Sequence, residues 1–303
     1  MERWEVVIVG GGPGGLTAGI YSTRNLRKTL ILEKNLPGGQ LISTSLISNF
    51  PSYPQGVSGM ELANRIEEQA RKAGVEIRLE EVKKIIPKGK EFVIHTDNTE
   101  YLASSVILAM GGKARKLNVP GEEELLGKGV SYCAVCDAPL FRERKVVVVG
   151  GGDTALQESL HLAKFAREVT IVHRRDQFRG ARIFQREIRN HPRIKVILNA
   201  RVKEIMGQER VEGVNIQTDK GDRTLACEGV FIFVGFNPST EIVKGVVNLN
   251  EEGYILTDEE MRTSQEGIFA CGDVRRKTLK QVVIACGEGA IAAHSANLFL
   301  EEK

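Results

Sequence analysis

The chain has 303 residues, 42% hydrophobic and 27% charged, a composition typical of a folded protein large enough for two domains. The formal net charge of +3 is small and argues against nucleic-acid or membrane binding as a main function. The longest apolar runs, such as Val230–Val234, are too short to cross a bilayer, and the N-terminus lacks the features of a secretory signal, so we expect a cytoplasmic protein.

The first predicted elements form a dinucleotide-binding unit. The β-branched run 5–9 predicts a buried parallel strand, and residues 16–23 predict the helix that follows it. The glycine turn between them has the GxGxxG spacing, with Gly10, Gly12 and Gly15. In such a turn the first glycine allows the bend, the second lets the backbone approach a pyrophosphate, and the third lets the helix pack on the strand. A second strand is predicted over residues 29–32, and Glu33 follows it.

The strand that closes this unit is predicted over residues 105–109, and the CxxC motif comes next. Cys133 and Cys136, followed by Asp137, have a spacing that can form a small disulfide and pass two electrons. The same spacing also serves as half of many zinc sites. The position of the motif just before a second dinucleotide-binding unit favours the redox role, because one cofactor can bring electrons and the other can pass them to the sulfurs.

The second unit repeats the order of the first. Strands are predicted over residues 145–149 and 169–172, with a helix over 156–166 between them. The glycine turn after the first of these strands contains Gly150, Gly152, Asp153 and Thr154. Two copies of the motif, each in the strand–turn–helix–strand context, make a nucleotide-binding function far more specific than one copy would.

The residues after the second strand of each unit distinguish the two nucleotides. Glu33 suits the 2′-hydroxyl of an unphosphorylated ribose, which predicts FAD or NAD in the first unit. The equivalent position in the second unit is His173, followed by Arg174 and Arg175. Guanidinium groups donate paired hydrogen bonds to phosphates, so the second unit is predicted to bind NADP. A solvent-exposed arginine pair with no ligand is the alternative.

The remaining elements suggest that the second unit is an insertion. Strands predicted over residues 230–234 and 267–271 are followed by a helix over 281–300, and this tail is too short to form a domain. We therefore expect an α/β fold with two Rossmann-like, three-layer nucleotide-binding domains, the second inserted into the first. The first domain would comprise residues 1–113 and 242–303, and the second, which carries the CxxC motif, residues 114–241.

The other three cysteines bear on the role of the CxxC pair. Cys227, Cys271 and Cys286 lie far apart in apolar segments and are expected to be buried free thiols. Free thiols are typical of a reducing compartment. A disulfide between Cys133 and Cys136 would then be catalytic rather than structural.

The chain resembles the bacterial-type, low-molecular-weight thioredoxin reductases over essentially its whole length. Besides the glycine turns and the CxxC motif, the resemblance rests on Gly38-Gly39-Gln40-Leu41, His173-Arg174-Arg175-Asp176-x-Phe178-Arg179 and Gly272-Asp273. It implies a homodimeric flavoprotein that passes electrons from NADPH through FAD and the Cys133–Cys136 disulfide to thioredoxin. FAD would then bind the first domain and NADPH the second.

The resemblance also implies roles for single residues. The positions that match flavin-binding residues of the family are Gly38, Gln40, Asn49, Gly272, Asp273 and Gln281. The positions that match those holding the 2′-phosphate of NADPH are Arg174, Arg175 and Arg179. Cys136 corresponds to the thiol nearer the flavin and Cys133 to the thiol that attacks thioredoxin. Nicotinamide and disulfide need the same flavin face in turn. The family likeness therefore also implies a domain rotation about the two places where the chain crosses between the domains, near Lys113 and near Glu241.

Thiol–disulfide exchange needs a thiolate on one side and a protonated leaving group on the other. Asp137 can supply or accept this proton if the protein buries it. A helix cap or turn residue is the alternative interpretation of this aspartate.

Other functions are weighed against this one. Another NAD(P)H-dependent FAD oxidoreductase could reduce a glutaredoxin-like or peroxidase partner with the same two nucleotide units. A non-enzymatic flavin redox sensor could use the cysteines as a switch, but the arginine pair would then be unexplained. A structural zinc site would need two further ligands, and the sequence near the CxxC motif offers no second Cys or His pair.

Overall fold

The computed structural model describes residues 1–302 of the chain. Its α-helices are α1 (Pro13–Arg24), α2 (Gly59–Lys72), α3 (Ala134–Asp137), α4 (Asp153–Leu162), α5 (Arg182–Arg189) and α6 (Val282–Glu301). Its strands are β1 (Glu2–Val9), β2 (Thr29–Glu33), β3 (Glu76–Leu79), β4 (Val82–Lys88), β5 (Glu91–Thr96), β6 (Glu100–Leu108), β7 (Gly112–Ala114), β8 (Val130–Ser131), β9 (Lys145–Gly150), β10 (Glu168–Val172), β11 (Ile194–Ile197), β12 (Arg201–Met206), β13 (Gly213–Thr218), β14 (Gly221–Ala226), β15 (Gly229–Phe233), β16 (Phe236–Pro238) and β17 (Ile268–Ala270).

The first compact unit is built on a sheet of strand order β3-β2-β1-β6-β5-β4, and β17 pairs with the end of β6. The strand β1 is parallel to both of its neighbours, whereas β4 and β5 are antiparallel. Side chains of β1 alternate between two cores. Val6 and Ile8 pack with residues of α1 and α6, and Val7 and Val9 pack on the opposite face. Burial on both faces explains the continuous β-branched run of this strand.

The second compact unit has three layers around a parallel sheet of order β11-β10-β9-β15-β8. Val146 and Val148 of the central strand β9 pack with residues of α4. Val147 and Val149 pack on the other face against the antiparallel sheet β12-β13-β14. The two units therefore repeat the same strand–turn–helix–strand arrangement, and the predicted α/β fold class is confirmed.

The division of the chain differs from the predicted one at the second crossing. The contacts divide it into one unit of Met1–Ile42, Leu46–Lys113 and residues 237–302 and another of Ser43–Ser45 and Ala114–Phe236. Residues 237–241, predicted in the inserted domain, belong with the first unit because Thr240 is buried and its hydroxyl donates to the carbonyl oxygen of Gly253 at 2.8 Å.

The last helix, α6, is long and apolar enough to cross a membrane by length and composition alone, although polar residues interrupt its apolar sequence. Its packing explains this composition differently. Ala292, Ala293 and Ala296 are buried with residues of α1, and a Cβ on Gly289 would overlap the carbonyl oxygen of Gly14. The small residues of α6 therefore allow it to lie close against α1 as a core helix of the first unit.

Two glycines of α6 give a test of this packing. We expect Gly289→Ala to destabilise the protein by about 1–3 kcal/mol, because the added methyl group must push α1 and α6 apart. Gly287→Ala is the matched control, since Gly287 is exposed and no atom lies within 4 Å of its Cβ position. It should be neutral or stabilising by up to about 1 kcal/mol through helix propensity. Thermal unfolding of both variants measures the difference, and equal melting temperatures would contradict the close approach.

Two of the three free cysteines are buried as expected. Cys227 and Cys271 are buried, and Cys286 is half-buried. Burial raises the pKa of Cys227 and of Cys271 to about 12. These thiols therefore stay protonated near neutral pH and are poor nucleophiles.

Candidate functional site

The redox motif lies at the start of a short helix in the second unit. Cys133 and Cys136 form a disulfide, with their Cα atoms 5.4 Å apart. Cys133 precedes α3, and its sulfur accepts the backbone N–H of Cys136 at 3.1 Å. Cys133 is half-buried and Cys136 is exposed. The pairing predicted from the CxxC spacing is present, and at least one of the two residues is open to solvent.

Asp137 ends α3 and is half-buried. Its backbone N–H donates to the carbonyl oxygen of Cys133 at 3.3 Å. It precedes the 3-10 helix Ala138–Phe141, but its side chain makes no capping hydrogen bond to that helix. The structure therefore shows no helix-capping role for this carboxylate, which lies next to the cysteines.

A cavity of about 360 Å³ opens beside the second glycine turn. The predicted turn residues in its wall are Gly150, Gly152, Asp153 and Thr154. Gly150 has φ +153, and a Cβ there would overlap the carbonyl oxygen of Phe233. No atom lies within 4 Å of the Cβ position of Gly152, and α4 begins at the next residue without a side-chain cap. Open space at an uncapped helix N-terminus fits a pyrophosphate, as NADPH requires.

The structure brings two of the three predicted phosphate-binding arginines to this cavity. Arg174 and Arg179 line it, whereas Arg175 is not part of the wall formed by residues 1–302. Arg179 is held there because its backbone N–H donates to the carbonyl oxygen of Gly151 at 2.8 Å.

His173 also lines the cavity, although it was not predicted as a ligand. Burial lowers its pKa, and the charges of the neighbouring arginines lower it further, so the imidazole is neutral at physiological pH. Its Nε2 atom is buried and has no hydrogen-bond partner among residues 1–302. The histidine at the strand end was visible in the sequence, but its unpaired nitrogen is evident only in the folded protein.

The first glycine turn has the same construction. Gly10 has φ +105, and a Cβ on Gly15 would overlap the carbonyl oxygen of Gly10, so α1 packs tightly on the turn. Gly12 has open space at its Cβ position, and α1 begins after it without a side-chain cap. The carboxylate of Glu33 accepts the backbone N–H of Gly11 at 2.6 Å. It keeps further lone pairs for ribose hydroxyls, so this turn fits the adenosine pyrophosphate part of FAD.

Four more of the predicted flavin-binding residues form two pairs in the first unit. Gly38 and Gln40 lie in one segment, and Asn49 contacts Gln281. The backbone N–H of Gly38 donates to the carbonyl oxygen of Gly11 at 2.8 Å, which places the segment with Gln40 on the glycine turn. The side-chain amide of Asn49 donates to Oε1 of Gln281 at 2.9 Å. The structure therefore joins Asn49 and Gln281, which lie at opposite ends of the sequence.

Gly272 and Asp273 lie in the 3-10 helix Gly272–Val274, and a buried ionic network holds this turn. Glu288 of α6 accepts the backbone N–H of Gly272 at 2.8 Å. Its carboxylate also forms salt bridges with Arg275 at 2.6 Å and with Lys277 at 3.0 Å. The side chains of Lys277 and Glu288 are each only 8% exposed, and Lys277 also contacts Asp273 at 3.3 Å. Sequence reasoning missed Arg275, Lys277 and Glu288 because these three residues belong to no motif.

We expect Glu288→Gln to weaken FAD binding about tenfold, because it removes a charged acceptor from the Gly272 turn and leaves two cations underneutralised. Fluorescence titration of the apoprotein with FAD measures the dissociation constant. Glu260→Gln is the control, since Glu260 forms an exposed salt bridge with Arg262 at 3.3 Å and such pairs contribute little. An unchanged FAD affinity in Glu288→Gln would contradict the role of the network.

Comparisons with known proteins agree with this geometry. The family model described as pyridine nucleotide-disulphide oxidoreductase matches residues 4–289. A thioredoxin reductase of Peptoclostridium acidaminophilum is 43% identical over 98% of this chain and 97% of its own length. A thioredoxin reductase of Bacillus subtilis is 42% identical over 99% of this chain and 95% of its own.

Solved structures give the same result. The crystal structure of Lactococcus lactis thioredoxin reductase is 41% identical, covers 99% of this chain and 100% of its own, and superposes with a TM-score of 0.97. The motifs, the paired cysteines and the two glycine turns thus occur in a chain that matches these proteins from end to end. The chain belongs to the pyridine nucleotide-disulphide oxidoreductases and, within them, to the thioredoxin reductases of the bacterial type.

Proposed function

We propose that this protein is an NADPH-dependent flavoprotein that reduces the disulfide of thioredoxin. The observation that carries the proposal is the Cys133–Cys136 disulfide in the same compact unit as a cavity lined by Arg174 and Arg179. A nucleotide site and a redox-active disulfide on one unit are two of the parts that such a reductase needs, and the flavin site of the first unit is the third.

The two cofactors, when bound, supply the hydride and electron-transfer chemistry. The chain binds and orients them. In the second unit the N-terminus of α4 would hold the pyrophosphate of NADPH, and Arg174 and Arg179 would bind the 2′-phosphate through charge-assisted hydrogen bonds. In the first unit the N-terminus of α1 would hold the pyrophosphate of FAD, and Glu33 would accept hydrogen bonds from its ribose.

The reduced cysteines act on the partner in two exchange steps. The thiolate of Cys133 attacks one sulfur of the thioredoxin disulfide, which forms a mixed disulfide and releases the other thioredoxin sulfur as a thiolate. The thiolate of Cys136 then attacks the sulfur of Cys133. This step re-forms the Cys133–Cys136 bond and releases the second thioredoxin thiolate. Two electrons have passed to thioredoxin, and each released thiolate takes up one proton.

Asp137 is the side chain we assign to proton transfer in this exchange. It follows Cys136 directly, and it makes no helix-capping hydrogen bond that would tie up its carboxylate. A carboxylic acid there can protonate a leaving thiolate, and the carboxylate can accept a proton from the attacking thiol.

A coupled assay tests the proposed function. Purified protein with bound FAD is mixed with NADPH and oxidised thioredoxin, and free thiols are measured over time. We expect one thioredoxin dithiol for each NADPH consumed. A glutaredoxin-like protein and a peroxidase offered in place of thioredoxin test the alternative partners. If NADPH is consumed with either of these but not with thioredoxin, the partner assignment is wrong. If no protein disulfide is reduced at all, the sensor interpretation gains support.

The remaining proposals follow from the family and from composition. We propose a homodimer, as the family likeness implies, in the cytoplasm and with no membrane or nucleic-acid partner. The small net charge of +3 and the packing of α6 in the core support the last part of this proposal. Light scattering after size-exclusion chromatography measures the oligomeric state.

A further inference from the structure

Glu122 is a buried carboxylate in the second unit and is only 2% exposed. Three donors point at it. Oε1 accepts the backbone N–H of Leu117 at 2.8 Å and the hydroxyl of Tyr132 at 2.6 Å. Oε2 accepts the backbone N–H of Asn118 at 2.6 Å. Within residues 1–302 no basic side chain forms a salt bridge with it, so these hydrogen bonds stabilise its charge.

The turn that presents the two backbone donors is rigid. Asn118 has φ +57, a left-handed conformation that Asn tolerates. Gly121 has φ +83, and a Cβ there would overlap the carbonyl oxygen of Ile205. The carbonyl oxygen of Pro120 in turn accepts the backbone N–H of Ile205 in β12 at 2.9 Å. Because the turn is anchored on β12, the antiparallel sheet β12-β13-β14 determines the position of Glu122.

One oxygen of this carboxylate, Oε1, contacts the wall of the nucleotide cavity. Leu117 lines the cavity together with the preceding residues 114–116. The backbone N–H of Leu117 is bound directly by Glu122. Glu122 therefore holds the end of this wall segment in place.

The same oxygen also contacts the segment that leads into the redox disulfide, through Tyr132. Tyr132 immediately precedes Cys133, and it is also one of the residues that line the cavity. Burial and the hydrogen bond to Glu122 raise the pKa of Tyr132, so its hydroxyl keeps its proton and donates. On the other side of Tyr132, the hydroxyl of Ser131 accepts the backbone N–H of Cys133 at 3.0 Å.

We infer that Glu122 is a positioning residue that holds both the nucleotide cavity and, through the hydroxyl of Tyr132, the Cys133–Cys136 segment. This inference rests on the proposed function, which gives the cavity to NADPH and the redox step to the disulfide. Loosening Tyr132 frees the backbone before Cys133, so the two thiols are less well oriented to form their disulfide.

Two variants separate the two connections. Glu122→Gln removes the charge from all three hydrogen bonds and sets an amide N–H against the backbone N–H of Leu117 or of Asn118, so both connections are weakened. Tyr132→Phe keeps the ring and the two backbone hydrogen bonds and removes only the link to the disulfide segment. Glu124→Gln is the matched control, since Glu124 is an exposed neighbour in the same turn region.

Two measurements on the holoenzyme report on the two connections. Calorimetric titration of the oxidised protein with NADP⁺ measures the affinity of the cavity for the nucleotide. Equilibration in glutathione redox buffers, followed by rapid alkylation and mass spectrometry of the Cys133–Cys136 peptide, measures the equilibrium between the disulfide and the dithiol. We expect Glu122→Gln to weaken NADP⁺ binding about tenfold and Tyr132→Phe to change it less than about twofold. Both variants should shift the disulfide equilibrium about tenfold toward the dithiol, which is about 30 mV for a two-electron couple.

A purely structural role would lower the melting temperature of the variants without moving the disulfide equilibrium, and that result would overturn the inference. It would also be overturned if Glu124→Gln shifted that equilibrium as much as Tyr132→Phe does. Should Glu122→Gln not fold, Tyr132→Phe decides alone. Neither measurement contains thioredoxin. If the variants show these shifts but the wild-type protein reduces no thioredoxin, the proposed function is refuted and the role of Glu122 stands.

Discussion

Replacing either cysteine of the disulfide should abolish thioredoxin reduction while the flavin is still reduced by NADPH. The exchange needs one thiolate to attack and a second to resolve the mixed disulfide, so Cys133→Ser and Cys136→Ser should each lose at least ~10³-fold in turnover. Neither residue belongs to a glycine turn or to the wall of the nucleotide cavity. Stopped-flow absorbance at the flavin band measures the first half-reaction, and thiol release from thioredoxin measures the second.

The two cysteine variants should also differ from each other. Cys136→Ser keeps the attacking Cys133 and should trap thioredoxin in a stable mixed disulfide, which mass spectrometry detects. Cys133→Ser should form no such complex. Cys227→Ala is the control, since this thiol is buried and stays protonated, and it should turn over normally. A complex formed through Cys136 would reverse the roles, and full turnover in either serine variant would remove the disulfide from the mechanism.

The double substitution Arg174→Ala with Arg179→Ala should raise the KM for NADPH roughly 10²-fold and change the KM for NADH little. Both arginines line the cavity, and hydrogen bonds between charged groups contribute about 1.5–3 kcal/mol each. NADH has no 2′-phosphate, so it cannot lose these contacts. Steady-state kinetics with each nucleotide measure the ratio.

Single substitutions test whether the phosphate ligands are the three arginines of the sequence motif or only the two that line the cavity. Arg175 follows the same strand but does not line the cavity within residues 1–302, so Arg175→Ala should have a much smaller effect than Arg174→Ala or Arg179→Ala. Arg189→Ala, at the end of α5, serves as a control for loss of general positive charge. Equal losses with NADPH and NADH in the double variant would contradict the assignment of the 2′-phosphate site.

The repeated nucleotide-binding units were predictable from the sequence because their signals are local. A strand such as β9, buried on both faces, needs a continuous apolar run, and a turn such as Gly150–Gly152 needs residues without a Cβ. Both requirements act on neighbouring residues, so they appear as motifs. The CxxC pair was predictable for the same reason, since the two cysteines are within reach of each other along the chain.

The second crossing was placed too late because nothing local marks it. Residues 237–241 contain no motif, and Thr240 joins the first unit through the distant Gly253. Helix boundaries were shifted in a similar way. The helix after the second glycine turn was predicted over 156–166 but runs over Asp153–Leu162, because it begins directly at the glycine turn.

The sequence alone thus determined the two nucleotide folds, the redox pair and the family, since each depends on residues close together in the chain. Only the tertiary structure decided which arginines reach the cavity and which buried carboxylates support the sites. Glu288 of α6 accepts a hydrogen bond from Gly272 in a separate turn, and Glu122 accepts one from Tyr132, which follows β8. A buried carboxylate needs donors from whatever backbone surrounds it in space, and that environment exists only once separate segments have packed together.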